Sequence, residues 1–156
     1  MTREILNEGD AYTGKQYITW DDVQNDCFAL AEILEKNGPF TGIVGIARGG
    51  LVPTAIIAHR LDMRNVKTVA VTSFYGRQQV TAELLGSVEE IKDGEGWVFI
   101  DDMADTGQTA KLLKKRYPKA KFAVVYAKPD GQESIDYFVK LLKSENWIVY
   151  PWEKEE

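Results

Sequence analysis

Apolar residues in this chain follow two alternating rhythms. The first dozen residues are polar and acidic and are expected to form a loosely held arm; Gln16 to Ile18 then reads as a short edge strand. Thr19 and Asp22 have the spacing of a capping box, in which each side chain satisfies a backbone N–H of the other at a helix start. Val23, Cys27, Leu30 and Leu34 recur at helical intervals, which predicts an amphipathic helix ended by Gly38 and Pro39. The rhythm changes at Gly42 to Ala47 (GIVGIA), an unbroken apolar run of the kind buried on both faces of a sheet. Arg48-Gly49-Gly50 makes a tight loop, and LVPTAIIAHRL behind it has the length and composition of a buried helix.

The alternation continues. Val66 to Phe74 reads as a strand, and the polar stretch Tyr75 to Gly96 as a flap. Trp97 to Ile100 is a third apolar strand, Thr106 to Arg116 a helix, and Phe122 to Ala127 a fourth strand before the turn Lys128-Pro129-Asp130-Gly131. Strands that alternate with helices predict an α/β fold, a mainly parallel sheet flanked by helices, with ligands at the carboxyl ends of the strands. At 156 residues without repeat or linker, one domain over 1–156 is expected.

Charge narrows the partners. A formal net charge of −5 has the wrong sign for duplex nucleic acid or an anionic membrane, so any bound phosphate must be held by local donors. One cysteine, Cys27, excludes an internal disulfide and a multi-cysteine zinc site, and one histidine, His59, argues against a His-rich metal centre. Cys27 falls on the apolar helix face, where packing is the expected role. No apolar run suits a leader or a membrane span, and the expected location is the cytoplasm.

The densest chemical signal is VFIDDMADTGQTA, Val98 to Ala110. A buried strand runs into Asp101 and Asp102, then Asp105, then a small-residue turn that opens a helix. Thr106, Gly107, Gln108 and Thr109 place consecutive N–H groups and two hydroxyls at a helix N-terminus, where unpaired donors and the dipole favour a phosphate. Asp101 and Asp102 are acceptors suited to vicinal sugar hydroxyls and to Mg²⁺, which takes one or two carboxylates plus substrate oxygens. A lone Asp at such a turn would only cap a helix. Three carboxylates beside Thr-Gly-x-Thr point instead to a sugar phosphate.

This segment resembles the phosphoribosyl-pyrophosphate signature of the type I phosphoribosyltransferases. The rest of the chain is most similar to the bacterial xanthine-guanine branch of that family: Tyr17 to Asp21, ARGGLVP at Ala47 to Pro53, YPKAKF at Tyr117 to Phe122, AKP at Ala127 to Pro129, Trp147-Ile148 and Pro151-Trp152. The resemblance implies a small hood formed by the N- and C-terminal segments and a flexible loop at about 75–87. It implies transfer of a phosphoribosyl group from 5-phosphoribosyl-1-pyrophosphate to guanine or xanthine, with hypoxanthine as a further candidate base, and with Mg²⁺ as cofactor. It also implies a homodimer or homotetramer. Beyond Pro151-Trp152, family members continue with apolar residues where this sequence has the charged 153–156.

By the same resemblance, Asp101 and Asp102 would meet the ribose hydroxyls and the metal, Asp102 foremost. Asp105 to Thr109 would wrap the 5′-phosphate, and Asp105 would also serve as catalytic base beside the purine N7. Arg48-Gly49 would hold the diphosphate, in a loop that the family often builds on a non-proline cis peptide, here Ala47-Arg48. Lys128 would donate to the purine O6, Trp147 would stack on the ring, and the carbonyls of Trp147 and Ile148 would face its C2 side. Arg77, in the poorly matching loop, is a candidate diphosphate contact. The alternatives are a non-catalytic regulator on the same fold that binds RNA or protein, and a phosphoribosyltransferase for a different base.

Overall fold

The computed structural model describes residues 13–75 and 80–154. The expected N-terminal arm and Arg77 lie outside them. In chain order the elements are β1 (Gly14–Tyr17), α1 (Trp20–Asn37), β2 (Gly42–Ala47), α2 (Leu51–Arg60), β3 (Val66–Tyr75), β4 (Val80–Leu85), β5 (Trp97–Ala104), α3 (Gln108–Arg116), β6 (Lys121–Ala127), β7 (Tyr137–Leu141) and β8 (Asn146–Val149). Six strands form one sheet in the order β4-β3-β2-β5-β6-β7, parallel except for β4, and β1 pairs with β8 in a separate parallel ribbon.

Successive strand residues face opposite sides of a sheet, and the apolar runs use both. Ile43, Val98 and Ile100 point into a core with α1 and α2, built on Cys27, Leu30, Leu34 and Ile57. Val44, Ile46 and Phe99 point the other way, into a core with Leu113, Tyr117 and Phe122. Full burial of a Leu, Ile, Val or Phe side chain stabilises by roughly 1.5–3 kcal/mol, so continuous apolar strands are what a sheet covered on both faces requires. The capping box forms as expected: Asp22 N–H donates to Thr19 Oγ1 at 3.1 Å and Thr19 N–H to Asp22 Oδ2 at 2.9 Å. Across the α1 face, Asp26 accepts from the Tyr126 hydroxyl (2.5 Å) and pairs with Lys140 (2.9 Å), tying α1 to β6 and β7.

Several boundaries differ from the sequence reading. The edge strand begins at Gly14 and ends at Tyr17, with Ile18 N–H donating to Val149 O beyond it. Within the stretch read as a flap, β4 pairs antiparallel with β3, and its burial alternates from Ala82 to Leu85 as a half-buried strand does. Strand β5 continues past Ile100 to Ala104, because β6 goes on pairing with it at Asp101, Met103 and Ala104. Helix α3 opens at Gln108, two residues late, because Gly107 stands at φ +80°, outside the helical region. Neither β7 nor β8 was anticipated as a strand.

Candidate active site

The strand order reverses between β2 and β5: the chain leaves β2 toward β3 on one side and leaves β5 toward β6 on the other. Open α/β sheets have their crevice at such a switch point, beyond the carboxyl ends of the strands. Here those ends carry the Arg48-Gly49-Gly50 loop and the Asp105-Thr106-Gly107 turn. A cleft of about 1080 Å³ lies over them, lined by Arg48, Gly49, Asp101, Asp102, Asp105 to Thr109, Lys128, Trp147 and Ile148. Every described residue that the sequence offers for the site therefore lines one cavity. A second groove, of about 590 Å³ between α1 and α2, contains none of them and takes in His59 instead.

The two loops are in contact. A Cβ on Gly49 would stand 2.5 Å from Asp102 Oδ2, so any other residue would push the carboxylate out of its place. The Ala47-Arg48 peptide is cis. Because Asp101 and Asp102 are adjacent and desolvated, they cannot easily both be charged. Burial lifts the Asp101 carboxyl well above the usual carboxylate range, and the charge of Asp102 adds to this. Asp102 is raised too, chiefly by burial, with hydrogen bonds from Asp101 and the Met103 N–H pulling the other way. Met103 N–H donates to Asp102 Oδ1 at 2.7 Å, and Asp102 N–H to Asp101 Oδ1 at 2.8 Å.

At the head of α3 no side chain caps the helix, so the N–H groups of its first turn open on the cleft with the helix dipole behind them. Gly107 is required there on two counts: its positive φ, and the Ser134 Oγ that a Cβ would meet at 2.7 Å.

Lys128 joins this turn to the β1–β8 ribbon. It is 2% exposed; its Nζ donates to Asn146 O at 2.7 Å and Ser144 O at 3.4 Å, and pairs with Asp105 Oδ1 at 3.5 Å. Burial lowers its ammonium below the ordinary lysine value, and Asp105 opposes that. Register in the ribbon sets Lys15 beside Trp147 and Gln16 beside Ile148, which holds β8 over the cleft.

The cleft also includes Trp152 of the Pro151-Trp152 pair, and Lys15, Tyr150 and Glu153, which carry no motif signal in the sequence. Two adjacent carboxylates followed by a third announce themselves; single polar residues delivered by a four-residue ribbon do not. Among the described residues no group of three or more His, Cys, Asp or Glu side chains is placed to hold a metal ion. No helix among them is long and apolar enough to cross a membrane.

These features have counterparts in known proteins. The chain is 42% identical over 151 residues to a protein named xanthine-guanine phosphoribosyltransferase from Nitratidesulfovibrio vulgaris, covering 96% of this chain and 91% of that one. A protein of the same name from Desulfotalea psychrophila is 42% identical over 147 residues, 94% of this chain and 91% of its own. The crystal structure of a purine phosphoribosyltransferase from Pyrococcus horikoshii superposes with a TM-score of 0.75 at 33% identity, over 91% of this chain and 96% of that one. The family model described as a phosphoribosyl transferase domain matches residues 19–155, which take in both cleft loops and β8, and the chain belongs to that family.

Proposed function

We propose that this cleft transfers a 5-phosphoribosyl group from 5-phosphoribosyl-1-pyrophosphate to a 6-oxopurine, with guanine and xanthine as leading bases, to give the nucleoside 5′-monophosphate and pyrophosphate. The observation that carries this reading is the Lys128–Asp105 pair, which sets a cationic donor and a carboxylate side by side between the anion-binding turn and Trp147. The chemistry of the named relatives supports the same reaction.

In this reading the N–H groups from Thr106 to Thr109 grip the 5′-phosphate. The Asp101 and Asp102 carboxylates accept from the sugar hydroxyls, while Arg48 and the amides beside it bind the diphosphate. The bond from the sugar C1 to the diphosphate breaks, its electron pair leaves with the diphosphate, and C1 bonds to the purine nitrogen. The purine's surplus proton passes to Asp105, a general-base role. Lys128 has only donors, so it satisfies a 6-oxo group and opposes a 6-amino group. Its 3.4 Å contact to Ser144 O is the weakest of its hydrogen bonds, and the one a purine O6 would replace.

The acid pair fits Mg²⁺. Two desolvated carboxyls that resist double ionisation form a hard-oxygen site where a divalent cation would restore charge balance. When bound, Mg²⁺ would neutralise charge on the diphosphate. Closure by the β3–β4 hairpin and a diphosphate contact by Arg77 are further parts of this proposal, resting on the family resemblance. The test is to supply the protein with 5-phosphoribosyl-1-pyrophosphate, Mg²⁺ and guanine, xanthine or hypoxanthine and look for the monophosphate. No turnover with any of the three, together with a retarded RNA band in a gel shift, would favour a regulator on this fold.

A further inference from the structure

Tyr150 follows β8 and is 4% exposed. Its ring lies parallel to Trp152, with centroids 4.5 Å apart and planes within 8°, and tilts against Tyr126 at 6.3 Å. With the ring clamped in this way, only the hydroxyl hydrogen is free to turn. That hydroxyl is shielded from bulk water and finds no hydrogen-bond partner among the described residues. Phenylalanine would fill the same space without leaving a buried polar atom unsatisfied, so a tyrosine here calls for a partner that the described residues do not supply.

The residue lines the same cleft as Asp101 and Asp102. Burial drives the phenol's pKa well above the ordinary tyrosine value, and the charges of Asp102 and then Asp101 push it further the same way. The phenol is a hydrogen-bond donor that lines the cleft together with both acids and is hydrogen-bonded to neither.

An oxygen that bridges such a donor and such acceptors must accept from the phenol and donate to a carboxylate. A sugar hydroxyl does both. A phosphate oxygen only accepts, and the acid pair repels it; a water could also bridge, but only a pentose hydroxyl makes the strength of the contact depend on which hydroxyls the sugar carries. We propose that Tyr150 is a sugar-binding residue whose phenol donates to a pentose hydroxyl held between it and the Asp101–Asp102 carboxylates. The inference rests on the reading of the cleft as a phosphoribosyl site and adds to it a residue on the base-facing side that grips the sugar.

Calorimetry on wild type and Tyr150→Phe tests it, with ribose 5-phosphate and its 2-deoxy and 3-deoxy analogues. The variant is expected to bind ribose 5-phosphate about fivefold more weakly, the effect of one net hydrogen bond. That penalty should vanish for one of the two deoxy sugars, and the variant should melt no lower than wild type. Equal affinity of both proteins for ribose 5-phosphate would overturn the assignment. So would an equal penalty on all three sugars with a lowered melting temperature, which would mark a packing role. If wild type itself binds no ribose 5-phosphate, the phosphoribosyl reading fails first.

Discussion

The two halves of the cleft are built by different means. The half proposed to hold the sugar and its 5′-phosphate is one stretch of chain: β5, the Asp105-Thr106-Gly107 turn and the head of α3, all within 97–110, with the Arg48-Gly49 loop from the end of β2 laid against it. The base-facing half comes from separate places. Lys128 follows β6, Trp147 and Ile148 lie on β8, and β8 is held in place by β1 from the opposite end of the chain. A contiguous strand–turn–helix has its geometry set by local preferences and one buried strand. A ribbon of two four-residue strands depends on a pairing across 130 residues, Gln16 beside Asn146 and Ile148, and on a lysine that reaches its carbonyls. The Lys128–Asp105 ion pair is where the halves meet.

If the halves divide the work in this way, substitutions should separate sugar-phosphate binding, base binding and proton transfer. The largest effect is expected from Asp105→Asn, which keeps the shape and removes the base: turnover should fall by about 10²–10⁴-fold with ribose 5-phosphate affinity close to wild type. Steady-state rates beside calorimetry check this. Lys128→Gln comes next. Losing a charged donor to the purine should weaken guanine binding by about 10–100-fold, and the sugar phosphate should bind as before. A parallel loss of both ligands would mean that the halves are one unit.

The smallest effect is expected away from both halves, at Cys27 in the α1 core. It is fully buried, and burial, helped by the charge of Asp26, pushes its thiol up to about 12. A raised folded value favours the protonated form, so this contribution to stability is complete below the thiol's ordinary 9.0 and is lost as pH rises toward about 12. At pH 8 a thiol reagent should leave the native protein unmodified and label it only after unfolding. Labelling of the folded protein would show that α1 opens.

The same contrast explains what the sequence could disclose. Helix α1 was legible through its capping box and apolar stripe, and β2, the start of β5 and β6 through continuous apolar runs that only a doubly covered sheet requires. The chemistry of 98–110 was legible because its residues are neighbours. The apolar pattern predicts β5 too short because Asp101 and Asp102 disfavour strands on their own, a preference overridden by pairing with β6. β7 and β8 were missed because they are short, and β7 is half-exposed with no sharp alternation. Lys128, Trp147 and Ile148 were singled out by family resemblance, since nothing in their spacing says that they share a cleft. Lys15, Tyr150 and Glu153 went unread because their meaning lies in distances that no pattern along the chain encodes.

The joining of the halves is tested most directly by comparing guanine with adenine as acceptors for the intact protein, at fixed 5-phosphoribosyl-1-pyrophosphate and Mg²⁺. A donor-only Lys128 beside Asp105 predicts conversion of guanine to its monophosphate at a kcat/KM at least about 100-fold above that for adenine, as sites built to hydrogen-bond one exocyclic group reject its opposite. Equal use of the two bases, or preference for adenine, would contradict the account.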